Sequence, residues 1–190
     1  MTDSKPILRA DSTKAITIAN SGLSGTLTVN AVAGIANFTD LKYTGTSGSR
    51  TLSYSVAGTA WTTRTETVTI NVGAASKLGF GTQADGAVNG VAFTTQPTIE
   101  VQDVSGNKVA SSTASITASA SVGATLGGTV TNNASAGSFT YTNLKLTGEA
   151  KAYTLTFASN GLTSLVQNIT NAPGAAAKIT ITGSSTSVND

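Results

Sequence analysis

The chain has 190 residues, 39% hydrophobic, 11% charged and 5% aromatic, which is length for one large or two ordinary domains whose surface must be kept in water by Thr, Ser, Asn and Gly. Lys+Arg 11 against Asp+Glu 9 leaves a net charge of +2, and basic residues such as Lys14, Lys42, Arg64, Lys108 and Lys151 stand singly, so neither a phosphate-tracking stripe nor a membrane-binding patch is written here and nucleic acid is not an expected partner. Cys and His are both absent, which excludes disulfides, thiolate nucleophiles, cysteine metal sites and any histidine base.

The opening MTDSKPILRAD (residues 1–11) has neither the basic n-region nor the apolar h-region of a signal peptide, and no apolar run approaches the ~20 residues of a membrane span. No membrane insertion is expected, and any export signal is expected to lie outside this chain. From there, alternation of apolar and Thr-rich polar residues marks a succession of strands. In chain order they are AITIA (15–19), TLTVNA (26–31), TLSYSV (51–56), TETVTINV (65–72), PTIEVQDV (97–104), ASITASA (114–120), SFTYTNLKL (138–146), AYTLTFA (152–158) and SLVQNIT (164–170). No helical period persists anywhere. TSGS (46–49), VSGNK (104–108) and SNG (159–161) read as tight turns, where Gly and Asn accept positive φ. Short loops between short strands predict antiparallel pairing and an all-β sandwich or barrel.

The chain also repeats itself at about one hundred residues, the size of one sandwich domain. LKYTG (41–45) returns as LKLTG (144–148), TLSYSVAG (51–58) as TLTFASNG (154–161), STKAITI (12–18) as STASITA (112–118), and GAASKLGF (73–80) as GAAAKITI (174–181). The boundaries that follow are residues 1–73 for an N-terminally incomplete repeat, 74–173 for a complete one and 174–190 for the first strand of a third.

Residues 74–173 carry Lys77-Leu78-Gly79-Phe80, then Gln96-Pro97-Thr98-Ile99-Glu100-Val101-Gln102-Asp103, Gly106-Asn107, Ala152-Tyr153-Thr154-Leu155-Thr156 and Gly161-Leu162-Thr163-Ser164. In these pieces the chain resembles the bacterial immunoglobulin-like tandem repeats of large surface proteins and adhesins. That resemblance implies tandem antiparallel β-sandwiches, the first incomplete at its N-terminal side, and an extracellular or cell-surface location. The first repeat departs from the pattern in two places. Residues 1–11 stand where an opening strand and a Q-P-x-I strand belong, and Arg50 replaces the tyrosine found at Tyr153, which puts a tyrosine-corner hydrogen bond there in doubt.

Candidate sites are few. Asp103, Ser105 and Asn107 offer oxygens to Ca²⁺, but such sites want 6 to 8 oxygens; a turn is preferred, with Asp103 bonded to backbone two residues on and Gly106 and Asn107 in left-handed conformations. Lys42 and Lys145 occupy equivalent places, which raises a Lys–Asn isopeptide crosslink, yet each follows a core leucine and should point outward. Leu78-Gly79-Phe80-Gly81 contains G-x-G without a following helix, so it reads as strand rather than phosphate loop. Asp40, Glu66, Asp85, Glu100 and Glu149 show no paired spacing for glycoside cleavage. Trp61, with Tyr43 and Tyr54, offers rings on which a sugar could stack; Tyr54, opposite Phe157 in the repeat, reads as core, and Trp61 in GTAWTT (58–63) is the one expected to be exposed, with loop packing preferred over ligand binding.

The sequence therefore points to a non-enzymatic structural spacer of a bacterial surface or extracellular repeat protein, contributing to adhesion, without cofactor or metal. Its expected partners are adjacent repeats, a second copy reached head to tail through residues 175–190, and a glycan or surface receptor. The alternatives are a carbohydrate- or surface-binding module of a secreted or phage tail protein, and a filament subunit assembling by strand exchange.

Overall fold

The computed structural model describes residues 13–58 and 63–176. The expectations placed on residues 1–11, Trp61 and 177–190 lie outside the described residues. Within them the chain is all-β, with several antiparallel sheets and no helix long and apolar enough to cross a membrane.

Among the described residues the first half has six strands: β1 (Ala15–Ala19), β2 (Leu23–Ser24), β3 (Thr28–Asn30), β4 (Lys42–Tyr43), β5 (Gly48–Val56) and β6 (Arg64–Ile70). They form a four-stranded sheet of order β3-β1-β5-β6 and a ribbon β2-β4. The second half holds β7 (Lys77–Thr82), β8 (Thr98–Gln102), β9 (Ser115–Ala120), β10 (Ala124–Gly127), β11 (Thr131–Asn133), β12 (Ser138–Thr140), β13 (Lys145–Gly148), β14 (Ala152–Ala158) and β15 (Leu165–Thr170). These give a four-stranded sheet β11-β9-β14-β15, a ribbon β10-β13 and a three-stranded sheet β12-β8-β7.

The two four-stranded sheets have matching registers. Ile18 pairs with Tyr54 and Ala118 with Phe157; Thr17 pairs with Thr28 and Thr117 with Thr131, each pair joined through its hydroxyls at 2.9 and 3.0 Å. Even an unusual backbone position recurs, since Ala33 (φ 50°) and Ala136 (φ 49°) both sit in the left-handed region at the same hairpin. The correspondence is one of register within these two four-stranded sheets.

In the second half the sheets β12-β8-β7 and β11-β9-β14-β15 close on one core, a β-sandwich. Alternation puts Ile99 and Val101 of β8 opposite Ile116 of β9 and Leu155 and Phe157 of β14, all 0% exposed. Each such side chain contributes roughly 1.5–3 kcal/mol through burial. Phe157 is boxed by Phe80 (centroids 6.0 Å, edge-on) and Tyr141 (5.6 Å). Gln96 pins the return strand, accepting from Leu144 N at 2.9 Å and donating to Leu144 O at 3.0 Å.

Several expectations need correction. TLTVNA is a shorter strand than expected over 26–31: Thr28–Asn30 carry the register with β1, flanked by bonds at Leu27 O and Ala31 N, while Gly25 (φ 107°) turns the chain before it and Thr26 is held by Asp40. SFTYTNLKL breaks into β12 and β13: Tyr141 N still bonds Pro97 O in the β8 register, but Pro97 has no N–H to extend the ladder, and Leu144 N bonds the Gln96 side chain. Tyr54 is half-buried rather than core, its hydroxyl donating to Glu66 Oε2 at 3.1 Å.

Candidate functional site at the joint

The feature that joins the halves is the turn following β8. Asp103 is 3% exposed, and four N–H groups converge on its carboxylate. Oδ1 accepts from the backbone of Ser105 and of Asn107, both at 2.9 Å; Oδ2 accepts from the Asn107 side-chain amide and from Gly73 N in the connecting segment, again at 2.9 Å. The Asn107 amide, then the N–H groups of Gly73, Asn107 and Ser105, hold the carboxyl down to about 2 against the opposing effect of burial. The Ser105 bond is the expected one, two residues on. Gly106 takes the left-handed position (φ 87°), whereas Asn107, expected there too, does not; its side chain is bonded across to the first half.

That commitment runs across the joint. Asn107 Nδ2 also donates to Gly45 O at 3.0 Å, Asn107 Oδ1 accepts from Ser47 N at 2.9 Å, and Ser105 Oγ accepts from Gly45 N at 3.2 Å. A single turn of the second half therefore bonds both the connecting segment at Gly73 and the loop between β4 and β5. Both carboxylate oxygens of Asp103 are filled by N–H donors whose positive ends point inward, an environment suited to an anion and opposed to a cation. The described residues contain no group of three or more acidic, His or Cys side chains that could hold a metal.

Arg50 shapes the receiving loop. Its Nη2 donates to Thr46 O at 2.7 Å, to the Thr46 hydroxyl and to Ser47 O at 3.4 Å, while Nε donates to Tyr43 Oη at 2.8 Å. The departure from the repeat pattern at Arg50 is accompanied by a second one, Tyr43 where the other repeat has Leu146. A Cβ on Gly45 would lie 3.1 Å from Tyr43 Oη, and a Cβ on Gly148 would lie 2.8 Å from Tyr153 Oη. The phenol beside this glycine comes from β14 in the second half and from β4 in the first. Tyr153 makes the corner bond, to Gly123 O at 3.2 Å; in the first half Tyr43 fills that space and frees position 50 for a guanidinium.

The other candidates remain dispersed. Lys42 and Lys145 are both exposed, as the pleat requires. Leu78-Gly79-Phe80-Gly81 lies in strand β7, where a Cβ on Gly79 would meet the Gln102 side chain at 2.4 Å; the glycine makes room for a cross-strand neighbour. Asp40 caps a turn, accepting from Thr26 N and Oγ1, which lowers its pKa. An open groove runs between residues 83–88 and β15, with Asp85, Thr95, Asn168 and Thr170 on its walls and no aromatic ring among its lining residues.

No family model matches the chain, and no curated protein matches it. Solved structures that it resembles include a beta-glycosidase from Bacteroides vulgatus, with a TM-score of 0.46 and 11% identity over 87% of this chain and 23% of that one. A glycosyl hydrolase family 2 member from Bacteroides cellulosilyticus DSM 14838 gives 0.41 and 15% over 87% and 25%. Domains 4–9 of the surface layer protein SbsC give 0.38 and 15% over 94% and 24%. The chain spans about a quarter of the length of these structures, and at such TM-scores the likeness carries no argument about activity.

Proposed function

We propose that the chain is a non-enzymatic spacer: consecutive immunoglobulin-like units of a bacterial cell-surface or extracellular repeat protein, contributing to adhesion by holding a binding part at a set distance. The observation behind this reading is the joint. A linker with no side contacts lets neighbouring units swing. Here the connecting segment is tied at Gly73, and the loop beyond it at Gly45 and Ser47, all to one turn. Hydrogen bonds spread over three points fix an angle as well as a separation, which is the property a load-bearing spacer needs.

Because the chain contains no cysteine, spin labels can be placed cleanly at Ser21→Cys and Val122→Cys, exposed positions in the two halves. Electron–electron distance measurements should give a narrow distribution in the parent and a visibly broader one after Ser105→Ala with Asn107→Ala, with the thermal transition of the second half retained. A broad distribution in the parent, or no broadening in the variant, overturns the proposal.

A further inference from the structure

Asn followed by Gly occurs twice in the chain, at Asn89-Gly90 and at Asn160-Gly161. That pair has a chemistry of its own. Once it loses its proton, the glycine nitrogen can attack the side-chain carbon of the asparagine, because no Cβ stands in the way of the approach. The fold decides whether it does so: the glycine N–H must be out of a hydrogen bond, the amide must be free to turn, and water must reach both.

Asn89 lies between β7 and β8, half-buried and fixed by hydrogen bonds. Its Oδ1 accepts from Gly148 N at 2.9 Å and its own N–H donates to Ala172 O at 2.9 Å. Gly90 N, the nitrogen that would attack, donates to Leu146 O at 2.8 Å. An N–H held in such a bond resists loss of its proton, and a pinned amide cannot turn its carbon toward the nitrogen.

Asn160 lies in the turn between β14 and β15. Leu162 N closes that turn on Ser159 O at 3.3 Å, Gly161 takes the left-handed conformation (φ 74°), and Asn160 and Gly161 are both exposed. A Cβ on Gly161 would meet nothing within 4 Å, so the glycine stands in open solvent. Among the described residues neither the Asn160 amide nor the Gly161 N–H has a hydrogen-bond partner. The turn does not need the amide: the first repeat has Ala57-Gly58 in the same place, and Gly58 is again left-handed (φ 68°).

We propose that Asn160 is a site of spontaneous deamidation and that the fold protects Asn89 from the same reaction. The Gly161 nitrogen gives its proton to a solvent base and bonds to Asn160 Cγ; the Cγ–Nδ2 bond breaks and ammonia leaves, which closes a succinimide ring. Water then adds to one of the two ring carbonyls. Opening on one side yields aspartate, and opening on the other yields isoaspartate, whose main chain runs through the former side chain and is one methylene longer. Either product lowers the net charge of +2 by one. The isoaspartate lengthens a turn that leads directly into Thr163, which donates to Ser76 O and accepts from Leu78 N, both at 3.0 Å, where the start of β7 meets the hairpin. The reaction goes beyond the spacer reading and does not depend on it.

Peptide mapping of the full chain, aged in mildly alkaline buffer with and without guanidinium, tests the proposal. In the folded chain the tryptic peptide 152–178 should acquire aspartate and isoaspartate at Asn160 faster than the peptide 78–108 acquires them at Asn89. The difference should be at least about tenfold, since Asn89 reacts only after the bonds to Gly148 and Leu146 have opened. In guanidinium the two rates should converge. Hydroxylamine, which cuts the chain at a succinimide, should sever the folded chain after Asn160 and spare Asn89. Asn160→Ala, which gives the turn the residue of the first repeat, should abolish the product and keep the thermal transition of the second half. An Asn160 that stays intact in the folded chain while it reacts in guanidinium overturns the proposal, and so does an Asn89 that reacts as fast as Asn160 in the folded chain.

Discussion

Tyr141 offers a test of how the second core is built. Its ring is 0% exposed and packs on Phe139 (centroids 4.6 Å) and Phe157 (5.6 Å), yet its hydroxyl finds no hydrogen-bond partner in the protein. Burial pushes the phenol's pKa up, as expected for a group that would be charged with nothing to solvate it. A buried hydroxyl without a partner costs about 1–3 kcal/mol. The first repeat has Phe38 at the equivalent place, so the ring alone suits this position. Tyr141→Phe keeps both aromatic contacts and removes the stranded oxygen, and is expected to stabilise the second half by about 1–2 kcal/mol. For a unit of this size that raises the melting temperature by roughly 5–15 °C. Differential scanning calorimetry and urea melts followed by near-UV circular dichroism read the change. A stability equal to or below that of the parent refutes the reasoning, because it means the hydroxyl is bonded in the folded state.

Acid should loosen the joint. Asp103 is held at about 2, below the ordinary 3.8, so the folded state binds its proton less readily than the unfolded one. Its contribution is whole above about pH 4 and disappears as the pH falls through the folded value near 2; Asp40 shifts in the same direction. Urea melts between about pH 5 and pH 2 should show a shallower acid loss in Asp103→Asn than in the parent, and equal slopes contradict the assignment. A paired glycine comparison tests the loop geometry. Gly128 (φ 85°) leaves an added Cβ 2.1 Å from Asn143 O, while Gly161 (φ 74°) leaves it nothing within 4 Å. Gly161→Ala should cost about 1 kcal/mol from backbone strain alone, and Gly128→Ala at least about 2 kcal/mol because the carbonyl cannot yield; similar losses in chemical denaturation would show that contact is not the deciding difference.

The long alternating strands were legible because exposed and buried positions alternate along them, as in AYTLTFA and ASITASA. AITIA and AYTLTFA match β1 and β14 to the residue. β2, β10 and β11 were not foreseen, being two, four and three residues long, too short for a period to declare itself. The turn at Asp103 was read correctly as local structure, but its reach was not. The bonds from Ser47 and Gly45 to Asn107 span 60 and 62 residues, and no periodicity encodes a polar contact of that range. One signal was available. Arg50 for Tyr153 and Tyr43 for Leu146 are departures from the repeat that lie side by side in space, and two neighbouring departures at the same end as the connecting segment mark a place where one unit does something the other does not.

What differs there can be stated in hydrogen bonds. In the second half the groups equivalent to the receiving loop are satisfied from within: Gly148 N donates to Asn89 Oδ1 at 2.9 Å, and Gly148 O and Glu149 O both accept from Asn171 Nδ2 at 3.1 Å. In the first half the equivalent Gly45 N and O are satisfied by Ser105 and Asn107 of the other half. Backbone groups at a half-buried loop must find partners somewhere, and the two units solve that requirement in opposite ways, one by closing its own loop with asparagines and one by offering it to a neighbour. A unit inserted after the second half through the same kind of turn would meet donors and acceptors already occupied. The joint is therefore set by a few local residues: Arg50 and Tyr43 on the receiving loop, Asp103 and Asn107 on the turn that meets it.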